Sequence, residues 1–242
     1  RERGGATPGM IELRQASLVY KDQGKDLYAC RHINLTVRPG EFLGILGPSG
    51  SGKSSLLYMM SGLKSPTSGE VLYKDQRISE MSEPERARLR LVDFGIVFQY
   101  PYLIGYLSAL ENVLVGSPGV GTREKAQELL LNLGIGHKSH RLPHELSGGE
   151  RQRVCVARAL LGGRSIIFAD EPTASLDHTN GLAVVDLLVR HRGEGALVIV
   201  THDPSMLTHA SRVIHISDGE VVNEEFSPPG VPSGLLRETI GP

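Results

Sequence analysis

Eight consecutive residues could bind the phosphates of a nucleotide. They read Gly47-Pro48-Ser49-Gly50-Ser51-Gly52-Lys53-Ser54 and have the G-x-x-x-x-G-K-[ST] spacing of a phosphate-binding loop. Glycines let consecutive N–H groups converge on the β- and γ-phosphates, and the helix predicted after the loop directs its positive end at the same anion. Lys53 adds a cation, and the hydroxyl of Ser54 is placed to bind Mg²⁺. A simple Gly- and Ser-rich turn is the alternative, but strand, loop, Lys-Ser and helix agree against it.

The run Leu146-Ser147-Gly148-Gly149-Glu150 is a second candidate anion site. Ser147 and Glu150 have the three-residue spacing of a capping box, so Ser147 is predicted to begin a helix. Gly148 and Gly149 in the first turn destabilise that helix by roughly 1 kcal/mol each relative to Ala. An ordinary capped helix does not account for this cost. The destabilisation by the two glycines is explained if a ligand must approach backbone N–H groups that no side chain covers.

Two carboxylates and two further polar side chains follow predicted strands. The apolar run 165–169 ends at Asp170 and Glu171, and successive strand side chains point to opposite faces, so one carboxylate can hold Mg²⁺ while the other faces a different atom. Solvated strand-end charges are the alternative. Gln99 follows the strand Phe94–Phe98. His202 follows the run 196–201, at the edge where open parallel sheets bind ligands, although a satisfied surface histidine is common at such a position.

Strands ahead of the loop and a helix after it are predicted to frame these candidates. Ile11–Tyr20 and Ile33–Val37 suggest an antiparallel sheet beside the nucleotide. Tyr20 could stack on a base there, but a lone tyrosine at a strand end is more often half-buried packing. A later segment holds three tyrosines, for which core packing and partner contact both remain open: Tyr100, Tyr102 and Tyr106. An amphipathic helix is marked by Ala126, Leu129, Leu130 and Leu133.

The composition excludes several classes of function. The chain has 242 residues and a net charge of −1, so no basic surplus points to nucleic acid. Cys30 and Cys155 match no metal or redox spacing and are expected to be reduced core residues. No apolar stretch approaches the ~20 residues that span a bilayer, so a membrane role is expected to require a partner.

With these motifs in place, the chain resembles the nucleotide-binding subunits of ATP-binding-cassette (ABC) transporters. The resemblance covers roughly 10–223 and rests on motifs in the family's order: the phosphate loop, Gln99, Leu146 to Glu150, Asp170-Glu171-Pro172, Ser175-Leu176-Asp177 and His202. It implies an α/β P-loop NTPase fold with a parallel sheet, an N-terminal antiparallel β subdomain and an inserted helical subdomain at about 100–163. The cassette is expected at 10–226, with flexible tails at 1–9 and 227–242.

The resemblance also implies a role for each motif residue. Tyr20 looks like the ring that stacks on adenine, and the loop through Ser55 resembles the triphosphate cradle. Asp170 and Ser54 resemble the Mg²⁺ ligands. Gln99 resembles the glutamine that reaches Mg²⁺ and the attacking water and links the site to the transmembrane partner. The remaining expected roles are polarisation of the water by Glu171, contact of His202 with the γ-phosphate, and contact of Asp177 with the opposite subunit.

The two anion sites are expected to meet across a homodimer. In this family two copies sandwich two ATP molecules head to tail, so Ser147, Gly148, Gly149 and Glu150 would contact the nucleotide held by the other copy. Two positions depart from the family pattern. Glu150 replaces the commoner Gln and adds negative charge near a phosphate, from which tuned affinity or rate is expected. Ser55 replaces the commoner Thr and keeps the hydroxyl.

Within the family, the chain resembles the lipoprotein-releasing and macrolide-exporting branch. The stretches 98–113 and 169–177 carry this resemblance. It implies an ATPase at the cytoplasmic face of the cell membrane that powers a transmembrane permease. The alternatives are a regulatory ATPase coupled to a membrane protein that controls cell-wall hydrolases, and the ATPase of an importer. A soluble ABC ATPase of DNA or ribosomes is disfavoured, because neither a coiled-coil or zinc insertion nor a second cassette is present.

Overall fold

The computed structural model describes residues 9–22, 24–117, 119 and 122–227. In chain order the strands are β1 (Ile11–Asp22), β2 (Lys25–Val37), β3 (Phe42–Leu46), β4 (Ser68–Tyr73), β5 (Gln76–Arg77), β6 (Phe94–Val97), β7 (Ile166–Asp170), β8 (Ala196–Val200), β9 (Arg212–Ser217) and β10 (Glu220–Phe226). The helices are α1 (Lys53–Met60), α2 (Glu83–Val92), α3 (Ala109–Leu114), α4 (Arg123–Asn132), α5 (Gly148–Leu160) and α6 (His178–His191). Short 3₁₀ turns cover Gly136–Lys138, Pro143–Glu145 and Pro204–Leu207.

The larger sheet is parallel except at one edge. Its order is β10-β9-β3-β8-β7-β6, with only β10 antiparallel to its neighbour. Strands β3, β7 and β8 are buried along their whole length, which explains their continuous apolar sequences. The register places Ile45 opposite Val200 and Val200 opposite Asp170, so β3, β8 and β7 end level with one another. Their carboxyl ends therefore form one edge.

The smaller sheet is antiparallel, in the order β2-β1-β4-β5, and confirms the sheet predicted ahead of the loop. Strand β2 begins at Lys25 rather than at Ile33. The first four residues of β2 are exposed, so this half of the strand carries no apolar pattern from which it could be recognised.

Helix α1 is packed between the two sheets. Its side chains Leu56, Leu57, Met59 and Met60 are fully buried against residues of both sheets, including Ile33 and Phe168. The opposite face of the parallel sheet packs on α3, α4, α5 and α6. These two cores hold the loop before α1 and the sheet edge in a fixed relation.

The α/β fold class is confirmed, with a parallel sheet, an antiparallel sheet and helices α3 to α5 between β6 and β7. The bounds of a helical subdomain at 100 and 163 and of a cassette at 10–226 stay predictions. The predicted flexible tails lie almost wholly outside the described residues. The amphipathic helix is α4, which buries Ala126, Leu129 and Leu130 and is followed by Gly134 at φ 71°.

Candidate active site

The loop between β3 and α1 is held by backbone contacts with both sheets. Gly52 has φ 103°, and a Cβ there would lie 2.0 Å from the carbonyl oxygen of Ala29 in β2. A Cβ on Gly47 would lie 2.3 Å from the carbonyl oxygen of Ile216 in β9. The Gly219 N–H donates to the Ser51 carbonyl at 2.9 Å. Glycine is therefore required at both ends of the loop by close backbone approach, and at Gly52 by its positive φ as well.

Lys53 and Ser51 direct polar atoms into this loop. The Lys53 ammonium is 7% exposed and donates to the carbonyls of Gly47 and Pro48, each at 2.8 Å. The Ser51 hydroxyl is buried and has no hydrogen-bond partner among the described residues. A buried polar atom is normally paired, so the orphaned Ser51 hydroxyl, in the same loop that the Lys53 ammonium contacts, indicates a place for an oxygen-rich anion. The first N–H groups of α1 face the same loop without intrahelical acceptors.

Asp170 is held by two hydroxyl groups of α1. Its Oδ1 accepts from the Ser54 hydroxyl at 2.8 Å and its Oδ2 from the Tyr58 hydroxyl at 2.9 Å. Burial raises the pKa of Asp170, and the two hydrogen bonds oppose that rise. Tyr58 was not predicted from the sequence. Its position four residues after Ser54, on the same helix face, is the signal that could have found it.

Glu171 and His202 form a pair next to Asp170. The His202 Nδ1 lies 2.9 Å from Glu171 Oε1 and 3.0 Å from Oε2, with the carboxylate largely buried and the imidazole exposed. Strand β7 ends at Asp170, and Glu171 has φ 45°. The predicted alternation of strand side chains therefore does not apply to Glu171. The direction of the Glu171 side chain is set instead by the left-handed backbone at this residue, whose N–H donates to the Val200 carbonyl at 2.9 Å.

Gln99 and Tyr20 are both exposed. Gln99 is exposed two residues after Val97, which is opposite Ala169 in the register of β6 and β7. Tyr20 lies in β1, is 39% exposed and is paired with Leu27 of β2. No hydrogen bond between described residues ties either side chain to the loop, and their predicted contacts with Mg²⁺ and adenine stay predictions.

The second candidate anion site has the predicted capping box. The Ser147 hydroxyl accepts from the Glu150 N–H at 3.2 Å, and Glu150 Oε2 accepts from the Ser147 N–H at 2.9 Å. Gly149 also has a packing reason, because a Cβ there would lie 2.9 Å from Leu176 Cδ2. A Cβ on Gly148 would approach no atom closer than 4.0 Å, so the space over this residue is open. The helix start is thus accessible at Gly148 and packed at Gly149.

The described contacts fall into two groups. Lys53, Ser54, Asp170, Glu171 and His202 are close together at the carboxyl edge of the parallel sheet. Ser147 and Glu150 belong to a separate group at the start of α5, and no hydrogen bond between described residues joins the two groups. Asp177 caps α6 by accepting from the Asn180 N–H at 3.0 Å, which lowers the pKa of its carboxyl group. The two candidate anion sites thus lie in separate contact groups of the chain.

The tyrosine-rich segment is a surface rather than part of the core. Tyr100, Tyr102 and Tyr106 are 68%, 66% and 82% exposed, so the core-packing alternative is wrong. Arg158 donates to the Tyr102 carbonyl at 2.7 Å, and the Phe98 ring packs edge-on against that of Tyr102 at 5.4 Å.

Elsewhere, Cys30 and Cys155 are buried free thiols, as expected. In the part of the chain that the structure describes, no helix combines the length and apolar character needed to cross a bilayer.

Comparisons with known proteins show the family to which the chain is similar. A family model described as ABC transporter matches residues 30–174. The chain is 43% identical over 219 residues to the ABC transporter ATP-binding protein MJ1508 of Methanocaldococcus jannaschii, covering 88% of this chain and 98% of that one. It is 43% identical over 198 residues to the lipoprotein-releasing system ATP-binding protein LolD of Aquifex aeolicus, covering 79% and 88%.

Longer relatives and solved structures also match. The macrolide export ATP-binding/permease protein MacB of Wolinella succinogenes is 40% identical over 222 residues, which cover 89% of this chain but 34% of MacB. The chain thus spans about a third of the length of that relative. Among solved structures, the dimeric post-hydrolysis state of the cassette MJ0796 with ADP and Pi matches with TM-score 0.84 and 36% identity, covering 90% of this chain and 98% of that one.

Proposed function

The chain belongs to the ABC transporter family of ATP-binding proteins, and we propose from this premise that it hydrolyses ATP to drive a membrane exporter of the lipoprotein-releasing or macrolide-exporting type. The observation that carries the proposal is one cluster at the edge of the parallel sheet. There a buried lysine, a hydroxyl–carboxylate pair and a glutamate–histidine pair adjoin a glycine loop. Phosphoryl transfer needs positioning and neutralisation of charge, and this cluster offers both.

The residues present fit a nucleotide with Mg²⁺. The orphaned Ser51 hydroxyl and the Lys53 ammonium suit phosphate oxygens. The Ser54 hydroxyl and the Asp170 carboxylate, 2.8 Å apart, are hard oxygen donors of the kind that Mg²⁺ prefers, and these two residues would hold the ion together with Gln99. When bound, Mg²⁺ neutralises charge on the β- and γ-phosphates.

Glu171 is the proposed group that polarises the attacking water. Its carboxylate is mostly buried and can accept a hydrogen bond from water, while His202 fixes the orientation of both of its oxygens. His202 is 69% exposed in its side chain, so its other ring nitrogen is free to approach a γ-phosphate. Lys53 is proposed to hold the phosphate, and Tyr20 is proposed to stack on adenine.

We propose that each complete site is shared by two copies of the chain. Ser147, Gly148, Gly149 and Glu150 would contact the γ-phosphate held in the loop of the other copy, in a C₂ arrangement. The separation of the two contact groups on one chain supports this, as does the dimeric form of the related cassette MJ0796. Asp177, at the cap of α6, would contact the second copy.

A transmembrane permease is the second proposed partner. The names of the LolD and MacB relatives, a lipoprotein-releasing system protein and an ATP-binding/permease protein, support it. The exposed tyrosines at 100, 102 and 106 follow Gln99 and offer a surface of the composition that interfaces favour. The chain would then act at the cytoplasmic face of the membrane. Coupling to cell-wall hydrolases and import remain alternatives.

The test is the variant Glu171→Gln in the presence of ATP and Mg²⁺. We expect nucleotide binding to be retained, turnover to stop and a dimer to accumulate, measured by calorimetry, phosphate release and size-exclusion chromatography with light scattering. Lys53→Ala is the matched control, because it should weaken nucleotide binding itself. A Glu171→Gln protein that stays monomeric with ATP and hydrolyses it normally would refute the proposal.

A further inference from the structure

One carboxylate joins the start of α5 to the preceding 3₁₀ turn. Lys138 ends the turn Gly136–Lys138, and its ammonium lies 2.6 Å from Glu150 Oε1. The other oxygen of Glu150 accepts from the Ser147 N–H at 2.9 Å. The two charged side chains are 34% and 14% exposed. Lys138 is therefore in direct contact with Glu150, which completes the capping box at the start of α5.

The charge of Glu150 has opposite effects on the helix and on an anion. A carboxylate in the first turn stabilises the helix through its dipole, but it repels a phosphate approaching the same end. Glu150 is fully ionised near neutral pH, since the hydrogen bond from Lys138 lowers its pKa to about 2. A cation at 2.6 Å cancels this charge while leaving the cap intact.

A neighbouring ion pair shows that proximity in sequence is not sufficient for this role. Arg141 lies 2.7 Å from Glu145, and Glu145 accepts from the Leu142 N–H at the start of the turn Pro143–Glu145. The Arg141 side chain is 61% exposed. Of these two pairs, only that of Lys138 reaches the first turn of α5.

We propose that Lys138 is a positioning residue for the phosphate shared between two copies, because it neutralises Glu150 at the helix start that meets the other copy's nucleotide. The inference rests on the proposed shared site. It assigns a reason to glutamate at this position: the carboxylate caps the helix strongly, and a dedicated lysine removes the cost of its charge to the anion.

The experiment measures ATP-driven dimerisation in the Glu171→Gln protein. Lys138→Met should raise the ATP concentration for half-maximal dimerisation on the order of tenfold at low salt, since it exposes a unit charge near the phosphate. The increase should shrink at ~0.5 M salt, where screening is strong. Lys138→Arg should behave like the parent, and Lys138→Met combined with Glu150→Gln should recover most of the loss. Arg141→Met removes the same charge nearby and should have little effect.

Each outcome decides between two explanations. Recovery by Glu150→Gln together with the salt dependence supports neutralisation. An unchanged ATP requirement in Lys138→Met overturns the inference. So does a salt-independent loss that Glu150→Gln does not recover, because the ion pair would then only tether the turn. If the Glu171→Gln parent itself does not dimerise with ATP, the proposed function fails first and the inference falls with it. Thermal unfolding of each variant verifies that it is folded.

Discussion

The hydrogen bond from Tyr58 to Asp170 should contribute measurably to stability. Tyr58→Phe removes only the hydroxyl oxygen, which lies 2.9 Å from Asp170 Oδ2. Asp170 is 1% exposed, so water does not readily replace the lost donor. A hydrogen bond to a charged group contributes ~1.5–3 kcal/mol, and we expect a destabilisation of this size. For a chain of this length, that corresponds to a decrease in Tm of roughly 3–12 °C.

The assay is thermal or urea unfolding without nucleotide and in the presence of a chelator, so that only the contacts of the protein are compared. Tyr106→Phe is the matched control, because it makes the same change in a side chain that is 82% exposed. It should leave Tm unchanged within ~1 °C, as surface substitutions usually do. A Tyr58→Phe protein with the same Tm as Tyr106→Phe would refute the argument that Tyr58 holds this carboxylate.

Two further changes test the loop and the helix cap. Gly52→Ala should lower the free energy of unfolding by at least ~3 kcal/mol, because its Cβ would lie 2.0 Å from the Ala29 carbonyl oxygen. Gly50→Ala is the control: its Cβ would enter open space at φ 80°, and the loss should be only ~1–2 kcal/mol. Urea unfolding measures both. Equal losses would contradict the close contact. The hydrogen bond from Lys138 lowers the pKa of Glu150 from its ordinary value of 4.5 to about 2, so the stabilisation by Glu150 is present above pH 4.5 and is lost as the pH falls towards 2. The stability difference between the parent and Glu150→Gln should therefore shrink over this range, and a constant difference would contradict the ion pair.

Local signals were sufficient for much of the fold and site. The strand before the loop at 47–54, the helix after it, the capping box of Ser147 and the buried strands depend on neighbours in sequence, and these predictions are confirmed. The antiparallel sheet was also predicted, but the exposed first half of β2 was missed because no apolar pattern marks it.

Features that depend on tertiary contacts were not accessible. The packing reason for Gly149 requires the position of Leu176, and the role of Tyr58 requires β7 to lie beside α1. The direction of Glu171 depends on a left-handed residue anchored to Val200 of the neighbouring strand, which the alternation rule cannot anticipate. The exposure of Tyr102 likewise depends on how the segment after β6 crosses the surface.

The anchoring of the loop by both sheets has a consequence for energetics. The Gly219 N–H donates to the Ser51 carbonyl at 2.9 Å, and the Arg31 N–H donates to the Gly219 carbonyl at 2.8 Å. Gly52 lies in close contact with the backbone of β2. A cradle that is preorganised in this way loses little conformational entropy when it receives a triphosphate. In the proposed function, most of the intrinsic affinity for the nucleotide would then remain available to bring two copies of the chain together.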